Sequence, residues 1–324
     1  MTLHQNTSRP NVGTGSTFQV HGLMLVATCL VATSFPVVAA ITDDLNSVVL
    51  TFVRFALATS LFAPLVALRY GIVRPSLRDL GRYGILSILL VTFFWCMFAS
   101  LRMTTPLNTA AIFALSPVIT AVFAAILLGE RLTFSARIAL PIGTLGAIWV
   151  IFRGNPKALL TLEIGNGDLL FLAGTIALAS YSTLIKVLHR GEPMARMTFW
   201  ILATGAFWLF VLSLPSLGNV QWTSIPGNVF AGIAYLAVFT TIVTFFAFQW
   251  STTQIGPTKV VSYTFLNPAL VLLIGLALGE GLPPVATWPG AILTVVATIV
   301  LQRNIAPRNR TKRSSDVSLV ASSN

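Results

Sequence analysis

Charged residues are scarce in this chain. They make up 9% of its 324 residues, whereas 55% are hydrophobic. A soluble domain carries about a quarter of its residues as Asp, Glu, Lys and Arg. The scarcity therefore excludes an ordinary soluble protein and predicts a membrane protein. Because a spanning helix needs about 20 residues, ten helices would use roughly 200 of them and leave short loops.

The residues of metal, redox and hydrolytic centres are also few. Cys29 and Cys96 lie in apolar tracts without Cys-x-x-Cys spacing, which favours small packing residues over a disulfide framework. His4, His21 and His189 are scattered and match no metal-ligand or Ser/His/Asp spacing. The chain has no Gly-x4-Gly-Lys-Ser/Thr phosphate loop. We therefore expect no metal, no cofactor, no enzymatic activity and no direct use of ATP.

Acidic residues avoid the interior of every apolar tract. The nine of them are Asp43, Asp44, Asp79, Glu130, Glu163, Asp168, Glu192, Glu280 and Asp316. Since none lies deep in an expected span, a buried proton relay is not predicted. If transport is coupled to protons, the candidates within the margins of the spans are Glu130 and Glu280.

Two stretches of the chain resemble each other. One runs from Pro106 through Ser116-Pro117 to Leu-Gly-Glu130, and the other runs from Pro257 through Asn267-Pro268 to Leu-Gly-Glu280. In each stretch the two prolines are eleven positions apart, and a polar residue precedes the second proline. A proline inside an apolar helix removes a hydrogen bond and bends the axis. Its recurrence at matching places indicates an internal duplication.

The apolar tracts predict ten spans and five segments of the chain. The spans lie near 20–41, 46–68, 83–101, 107–128, 135–152, 168–187, 196–214, 228–249, 259–278 and 285–302. We expect a disordered cytoplasmic tail at 1–17, a first repeat at 18–152, a periplasmic linker at 153–167, a second repeat at 168–302 and a basic cytoplasmic tail at 303–324. The alternative, a signal peptide cleaved after Ala40, would break the match of five spans with five.

The basic residues predict the orientation. The net charge of +11 could indicate a nucleic-acid binder, but the bases lie between and after apolar tracts, which is typical of membrane topology. Of the 20 basic residues, Arg102, Arg153 and Lys157 fall on one side of the predicted membrane and Arg54 falls within a span. The other 16 fall on the opposite side, which we assign to the cytoplasm with both termini. Because five is odd, the second repeat is inverted relative to the first, which suits alternating access.

The repeats resemble the EamA-type branch of the drug/metabolite transporter superfamily. The resemblance is carried by Pro…Leu-Gly-Glu in the fourth helix of each half, Arg54-Phe55, Gly-Asp168 and Ala179-x-Tyr181, and it covers roughly residues 20–302. It implies a ten-helix inner-membrane carrier that exports amino acids and other small metabolites through a cavity between its halves. One departure is that Glu130 is followed by Arg131, whereas Glu280 is followed by Gly281, so the two ends are not chemically equivalent.

Arg54 is the one basic residue expected deep in a span. It lies roughly 12 Å from the start of its helix, at about 1.5 Å per residue. A charge there is costly unless it is paired or hydrated, so Arg54 is a candidate for substrate or gate contact. The alternatives are snorkelling to the surface or bonding to carbonyls freed by a bend at Pro36.

Other candidates for the site are uncharged residues inside spans. Hydroxyl, amide and aromatic groups on an apolar wall can orient a small ligand, and they can equally hold helices together. The candidates for the substrate cavity are Asn267, Tyr263, Ser116, Trp95, Tyr181, Tyr235 and Ser34, of which the first three are the strongest. Pro36, Pro117 and Pro268 are hinge candidates, with tolerated bends as the alternative.

Glu130 and Glu280 are gate or cap candidates. Each lies near a helix C-terminus, where the helix dipole disfavours an anion. One interpretation is a gate latch or protonatable switch. The alternative is a loop cap that pairs with a neighbouring base such as Arg131.

Together these patterns predict an all-α membrane protein that acts as a secondary transporter. Its expected partners are a small-molecule metabolite and the lipid bilayer, with no nucleic acid; its oligomeric state is open, a homodimer being one alternative. The rival functions are a passive pore and a non-transporting structural or sensory partner that docks through its basic tail.

Overall fold

The computed structural model describes residues 14–41, 45–71, 74–160, 164–279 and 281–306. The helices are α1 Thr14–Ile41, α2 Ser47–Tyr70, α3 Leu77–Ser100, α4 Pro106–Phe113, α5 Ser116–Phe123, α6 Phe134–Ile151, α7 Pro156–Leu160, α8 Asn166–Leu188, α9 Met194–Leu217, α10 Gly227–Ala237, α11 Thr244–Ile255, α12 Pro257–Ser262, α13 Asn267–Ala277 and α14 Trp288–Asn304. Two π-helical segments cover Ala124–Leu128 and Val238–Val243, and 3-10 turns cover Trp222–Ser224, Tyr263–Leu266 and Val285–Thr287.

Within the described residues, ten helices are long and apolar enough to cross a membrane. Spans 1 to 10 are Phe18–Val38, Ser47–Tyr70, Leu77–Ser100, Asn108–Leu128, Phe134–Ile151, Asn166–Leu188, Met194–Leu217, Gly227–Ile255, Pro257–Ala277 and Val285–Arg303. Large apolar side chains such as Ile126 and Leu145 are exposed on the outside of the bundle. Such a surface is stable against lipid rather than water. The chain is an integral membrane protein.

Side-chain caps explain where several spans begin. Asn46, Ser76 and Thr133 each precede a helix, and the side chain of each accepts a hydrogen bond from a backbone N–H in the first turn. The cap at Ser76 starts span 3 at Leu77, earlier than the predicted residue 83, so Arg78 and Arg82 are helical rather than loop residues. Lys259 is likewise in the first turns of span 9.

The packing of the spans follows the internal duplication, in which spans 1 to 5 correspond in order to spans 6 to 10. Spans 2 and 7 pack together, as do spans 5 and 10, so in each of these pairs a span contacts its own counterpart in the other repeat. The contact between spans 3 and 6 corresponds to that between spans 8 and 1. Residues of both halves meet at both ends of the bundle. The predicted all-α fold of two inverted five-helix repeats is confirmed.

The strands and the short helix lie outside the spans. Strand β1, Arg131–Leu132, pairs antiparallel with strand β2, Ile305–Ala306, and so ties the end of span 4 to the end of span 10. Helix α7 lies within the segment predicted as the linker 153–167. Helix α1 begins at Thr14, inside the segment predicted as the tail 1–17. The basic tail after residue 306 and Glu280 lie outside the described residues.

Candidate functional site

Arg54 reaches from span 2 to the middle of span 8. Its Nε donates to Thr241 Oγ1 at 2.5 Å, and its Nη2 donates to the carbonyl oxygen of Thr240 at 2.7 Å and to Thr240 Oγ1 at 3.1 Å. Both threonines lie in the π-helical segment Val238–Val243, where the regular backbone ladder is interrupted. The carbonyl that binds Arg54 therefore belongs to span 8, and the alternative of carbonyls freed at Pro36 is wrong.

The surroundings of Arg54 are neutral. Its guanidinium lies 6.0 Å from the centre of the Phe94 ring on span 3. Among the described residues, the ion pairs join Asp79 and Glu192 to Arg82 and Arg190, and none includes Arg54. Arg54 therefore carries a membrane-embedded charge whose protein partners are hydroxyl and carbonyl dipoles.

Spans 4 and 9 are interrupted at matching positions. The helix of span 4 stops at Phe113 and restarts at Ser116, and span 9 changes to a 3-10 turn at Tyr263–Leu266 before restarting at Asn267. Pro117 and Pro268 each occupy the first turn of the restarted helix. Backbone N–H groups in a first turn have no partner within the helix, so the N–H that proline lacks costs no hydrogen bond there. Pro36, by contrast, lies inside the continuous helix α1. The hinge role of all three prolines remains a prediction.

Polar atoms at these two interruptions have no partner. Ser116 is 1% exposed and Asn267 is 6% exposed. Within the described residues, Ser116 Oγ, Asn267 Oδ1 and Thr120 Oγ1, one turn after Ser116, are enclosed and lack any hydrogen bond. A buried polar atom left unpaired costs about 1–3 kcal/mol. Groups of this kind are what a polar ligand could satisfy.

Two tyrosines join span 1 to the second repeat. The hydroxyl of Tyr263 lies 2.8 Å from Nδ1 of His21, and the hydroxyl of Tyr235 lies 2.6 Å from Oγ1 of Thr33. The side chain of Ser34 donates to the carbonyl of Val31 in its own helix. Tyr263 therefore has a partner on span 1, and no hydrogen bond among the described residues brings it together with Ser116 or Asn267, the other members of the expected trio.

Tyr181 belongs to a separate buried chain of hydrogen bonds. Gln249 donates through Nε2 to the Tyr181 hydroxyl at 2.8 Å, and Thr198 donates through Oγ1 to Oε1 of Gln249 at 2.7 Å. These bonds connect spans 6, 7 and 8, and Gln249 is fully buried. This arrangement indicates that Tyr181 holds helices together rather than lining a cavity.

Trp95 lies in an apolar groove between spans 3 and 7. It is 45% exposed and shares the groove with Trp208 and with aliphatic residues of both spans. An exposed apolar groove on the outside of a bundle is suited to acyl chains. This position does not join Trp95 to the polar groups described above.

Glu130 links the two repeats at one end of the bundle. Its side chain is buried, with 7% of the residue exposed, and its Oε2 accepts a hydrogen bond of 2.7 Å from Thr258 Oγ1 at the start of span 9. Lys186 of span 6 and Lys259 of span 9 act on its charge without forming an ion pair with it. Arg131 is exposed in strand β1. The hydrogen-bond partner of Glu130 is therefore Thr258 rather than Arg131, and the bases that act on its charge are Lys186 and Lys259.

The protonation of Glu130 reflects this environment. Burial raises the pKa of its carboxyl, while the hydrogen bond from Thr258 and the charges of the two lysines oppose that rise. Gly256 lies directly against the carboxylate, since a Cβ at this position would overlap Oε1 of Glu130. Glu130 is thus enclosed by the second repeat.

Asp168 links the repeats at the other end. Its Oδ1 accepts from Thr104 Oγ1 at 2.5 Å, and its Oδ2 accepts from Asn108 Nδ2 at 3.3 Å and from the backbone N–H of Gly165 at 2.8 Å. Asp168 lies in the first turn of span 6, whereas Thr104 lies between spans 3 and 4 and Asn108 begins span 4. We refer to the contacts of Glu130 and of Asp168 as the Glu130 latch and the Asp168 latch.

Comparison with known proteins decides the family. The sequence model of the EamA-like transporter family matches residues 20–152 and 165–303, one match for each repeat. The chain belongs to the EamA-like transporter family. As an EamA-like protein it is a transporter and not an enzyme.

The relatives of this EamA-like chain are also named as transporters. A Bacillus subtilis (strain 168) protein named "Uncharacterized transporter YyaM" is 28% identical over 82% of this chain and 87% of its own length. A Streptantibioticus cattleyicolor protein named "Probable terminal-alkyne amino-acid exporter" is 23% identical over 86% of this chain and 92% of its own length. A solved crystal structure matches with a TM-score of 0.71 at 19% identity, covering 88% of this chain and 98% of that chain, which shows a shared fold.

The sequence analysis missed several polar residues of this EamA-like transporter. Thr240, Thr241 and His21 bind candidate residues from other spans, and none of them is among the candidates predicted from the sequence. The Thr240-Thr241 pair in the middle of an apolar tract was a usable signal, since adjacent hydroxyls at the centre of a span need partners. The described residues contain no cluster of His, Cys, Asp or Glu suited to a metal ion.

Proposed function

We propose that this chain is a secondary carrier that exports small organic metabolites, amino-acid-like or drug-like, across the bacterial inner membrane by alternating access. The observation that carries the proposal is the matching interruption of spans 4 and 9, which leaves Ser116 and Asn267 buried without partners in two inverted repeats. Polar groups freed at broken helices near the middle of the membrane are typical of carrier sites.

The two latches support alternating access. Each joins one repeat to the other, and they lie at opposite ends of the bundle. In a carrier that alternates, contacts between the repeats at one end must open while those at the other end close. The relative named as an amino-acid exporter supports both the solute class and the direction.

The test is counterflow in proteoliposomes. Vesicles containing the purified chain and loaded with unlabelled amino acid should accumulate the labelled amino acid transiently and saturably. Asn267→Ala should reduce this uptake by roughly tenfold at equal protein content, because the binding groups are lost. Gln254→Ala, which removes an exposed amide from span 8, is the matched control and should have no effect.

Two results would contradict the proposal. Flux that never saturates, together with single-channel conductance, would indicate a pore. The absence of counterflow for every amino acid and drug-like amine tested would favour a non-transporting membrane partner.

The orientation requires a separate test. The basic-residue asymmetry predicts that both termini lie in the cytoplasm. A fluorescent reporter that matures only in the cytoplasm, fused after Asn324, should therefore be bright. A dark fusion, with an active periplasmic reporter at the same place, would overturn this orientation.

A further inference from the structure

We propose that Arg54 is the binding point for a carboxylate of the transported solute, so that the carrier selects organic monocarboxylates, amino acids among them, and rejects esters and cationic amines. This inference rests on the proposed carrier function. It narrows the solute class to molecules with a free carboxylate and assigns the group that recognises it.

The first step is the depth of the guanidinium. Thr240 and Thr241, which hold it, are at the centre of the 29-residue span 8. Arg54 therefore does not snorkel to a surface, because its head group is tied to the middle of the neighbouring helix. A cation at this depth is costly unless it is paired or hydrated.

The second step is the set of donors that remain. An arginine has five N–H donors, and here Nε and Nη2 bind the two threonines. Nη1 has no hydrogen-bond partner among the described residues, and the protein does not enclose it completely. Its two N–H groups are therefore free for a ligand that enters between spans 2, 3 and 8.

The third step is charge. Neither threonine neutralises the guanidinium, and no described carboxylate pairs with it. An anion that binds to Nη1 would form a charge-assisted hydrogen bond, which is about twice as strong as a neutral one. Since no second base appears among the described partners of this site, a monoanion fits better than a phosphate or another dianion.

The hydrogen bonds also hold the guanidinium in one position. The threonine hydroxyls are themselves held, because Thr240 and Thr241 both donate to the carbonyl oxygen of Leu236. The guanidinium is thus preorganised, and little rotamer freedom remains to be lost when the carboxylate binds. The ring of Phe94, whose centre lies 6.0 Å from the guanidinium carbon, provides an apolar neighbour for the rest of the solute.

The experiment compares each acid with its own methyl ester. Proteoliposomes containing the full chain are tested by counterflow with a panel of amino acids and simple monocarboxylates, each as the free acid and as the methyl ester. Thermal stabilisation of the purified chain by the same compounds gives a readout that does not depend on transport. The wild type should prefer acids over esters by about tenfold or more.

Variants at Arg54 should remove this preference. Arg54→Gln should bring the ratio of acid to ester near one in both readouts, and Arg54→Lys should keep part of the preference because the charge is retained. Arg69→Gln, which removes an exposed charge from the end of the same helix, should leave the ratio unchanged. Size-exclusion profiles establish that each variant is folded.

The outcomes separate the two proposals. Three results would overturn the role of Arg54 and leave the carrier function standing. They are counterflow of esters or amines as good as that of acids, a preference for acids that persists in Arg54→Gln, and stabilisation by chloride alone equal to that by the acids. Absence of counterflow for the whole panel would overturn the carrier function and this inference with it.

Discussion

The Glu130 latch and the Asp168 latch do the same task with different chemistry. Both use a buried carboxylate to bind one repeat to the other at an end of the bundle. Asp168 is held by three donors, one backbone N–H and two side chains. Glu130 has a single hydroxyl donor, with two lysines nearby that do not pair with it. A carboxylate with three donors therefore makes a firmer contact, meaning one that costs more free energy to open, than a carboxylate with one donor.

The firm latch should give the largest effect. Asp168→Ala removes all three hydrogen bonds of a buried side chain, so we expect a loss of about 2–4 kcal/mol in the free energy of unfolding. Thermal unfolding of the purified chain in detergent measures it. Asp168→Asn keeps the shape and an acceptor, and it should lose less. If alanine were harmless, Asp168 would not be the firmer of the two latches.

Gly256 tests how closely the second repeat encloses Glu130. Gly256→Ala should cost about 2–3 kcal/mol in the free energy of unfolding, because the residue has φ +92° and the new Cβ would meet the Glu130 carboxylate. Gly191 is the matched control, since it has φ +88° but nothing within 4 Å of an added Cβ. Gly191→Ala should cost only the backbone strain, about 1 kcal/mol. Equal losses of melting temperature would show that the carboxylate yields at no cost.

Thr258 measures the single hydrogen bond of the weaker latch. Thr258→Val removes the donor to Glu130, and we expect a loss of about 1–2 kcal/mol together with a shift of the carrier toward the form open at this end. Thr264→Val is the control on the same span, because that hydroxyl bonds within its own helix. Cysteine accessibility next to Glu130 measures the opening. The same accessibility in both variants would contradict the role of this bond.

The smallest effect should come from the pH dependence. Burial raises the pKa of Glu130 in the folded chain above its pKa in the unfolded chain. Between these two pKa values the folded chain binds more protons than the unfolded chain. Folding stability should therefore fall as pH rises through that window. Glu130→Gln should remove this part of the slope, as measured by melting temperatures across that pH range. A slope unchanged in Glu130→Gln would mean that the carboxylate is not buried in solution.

Much of the fold could be predicted from the sequence, because lipid imposes a simple rule. Each span must be a long apolar helix with its backbone bonds satisfied internally, so the ten tracts, the repeat and the family resemblance were readable. The contacts of residues at the ends of the spans were harder to predict. Asp168 was only part of a motif, and the acids were expected at span ends without any sign that Glu130 and Asp168 would be buried between the repeats.

The sequence by itself determined the ten helices, their duplication and the places where prolines interrupt spans 4 and 9, since these follow from local hydropathy and from backbone chemistry. Only the tertiary structure decided the partners of the polar groups. Arg54 meets Thr240 and Thr241 almost 190 positions along the chain, and Glu130 meets Thr258 across 128 positions. Such pairings depend on which helices pack and in what register, and hydropathy does not encode either of these.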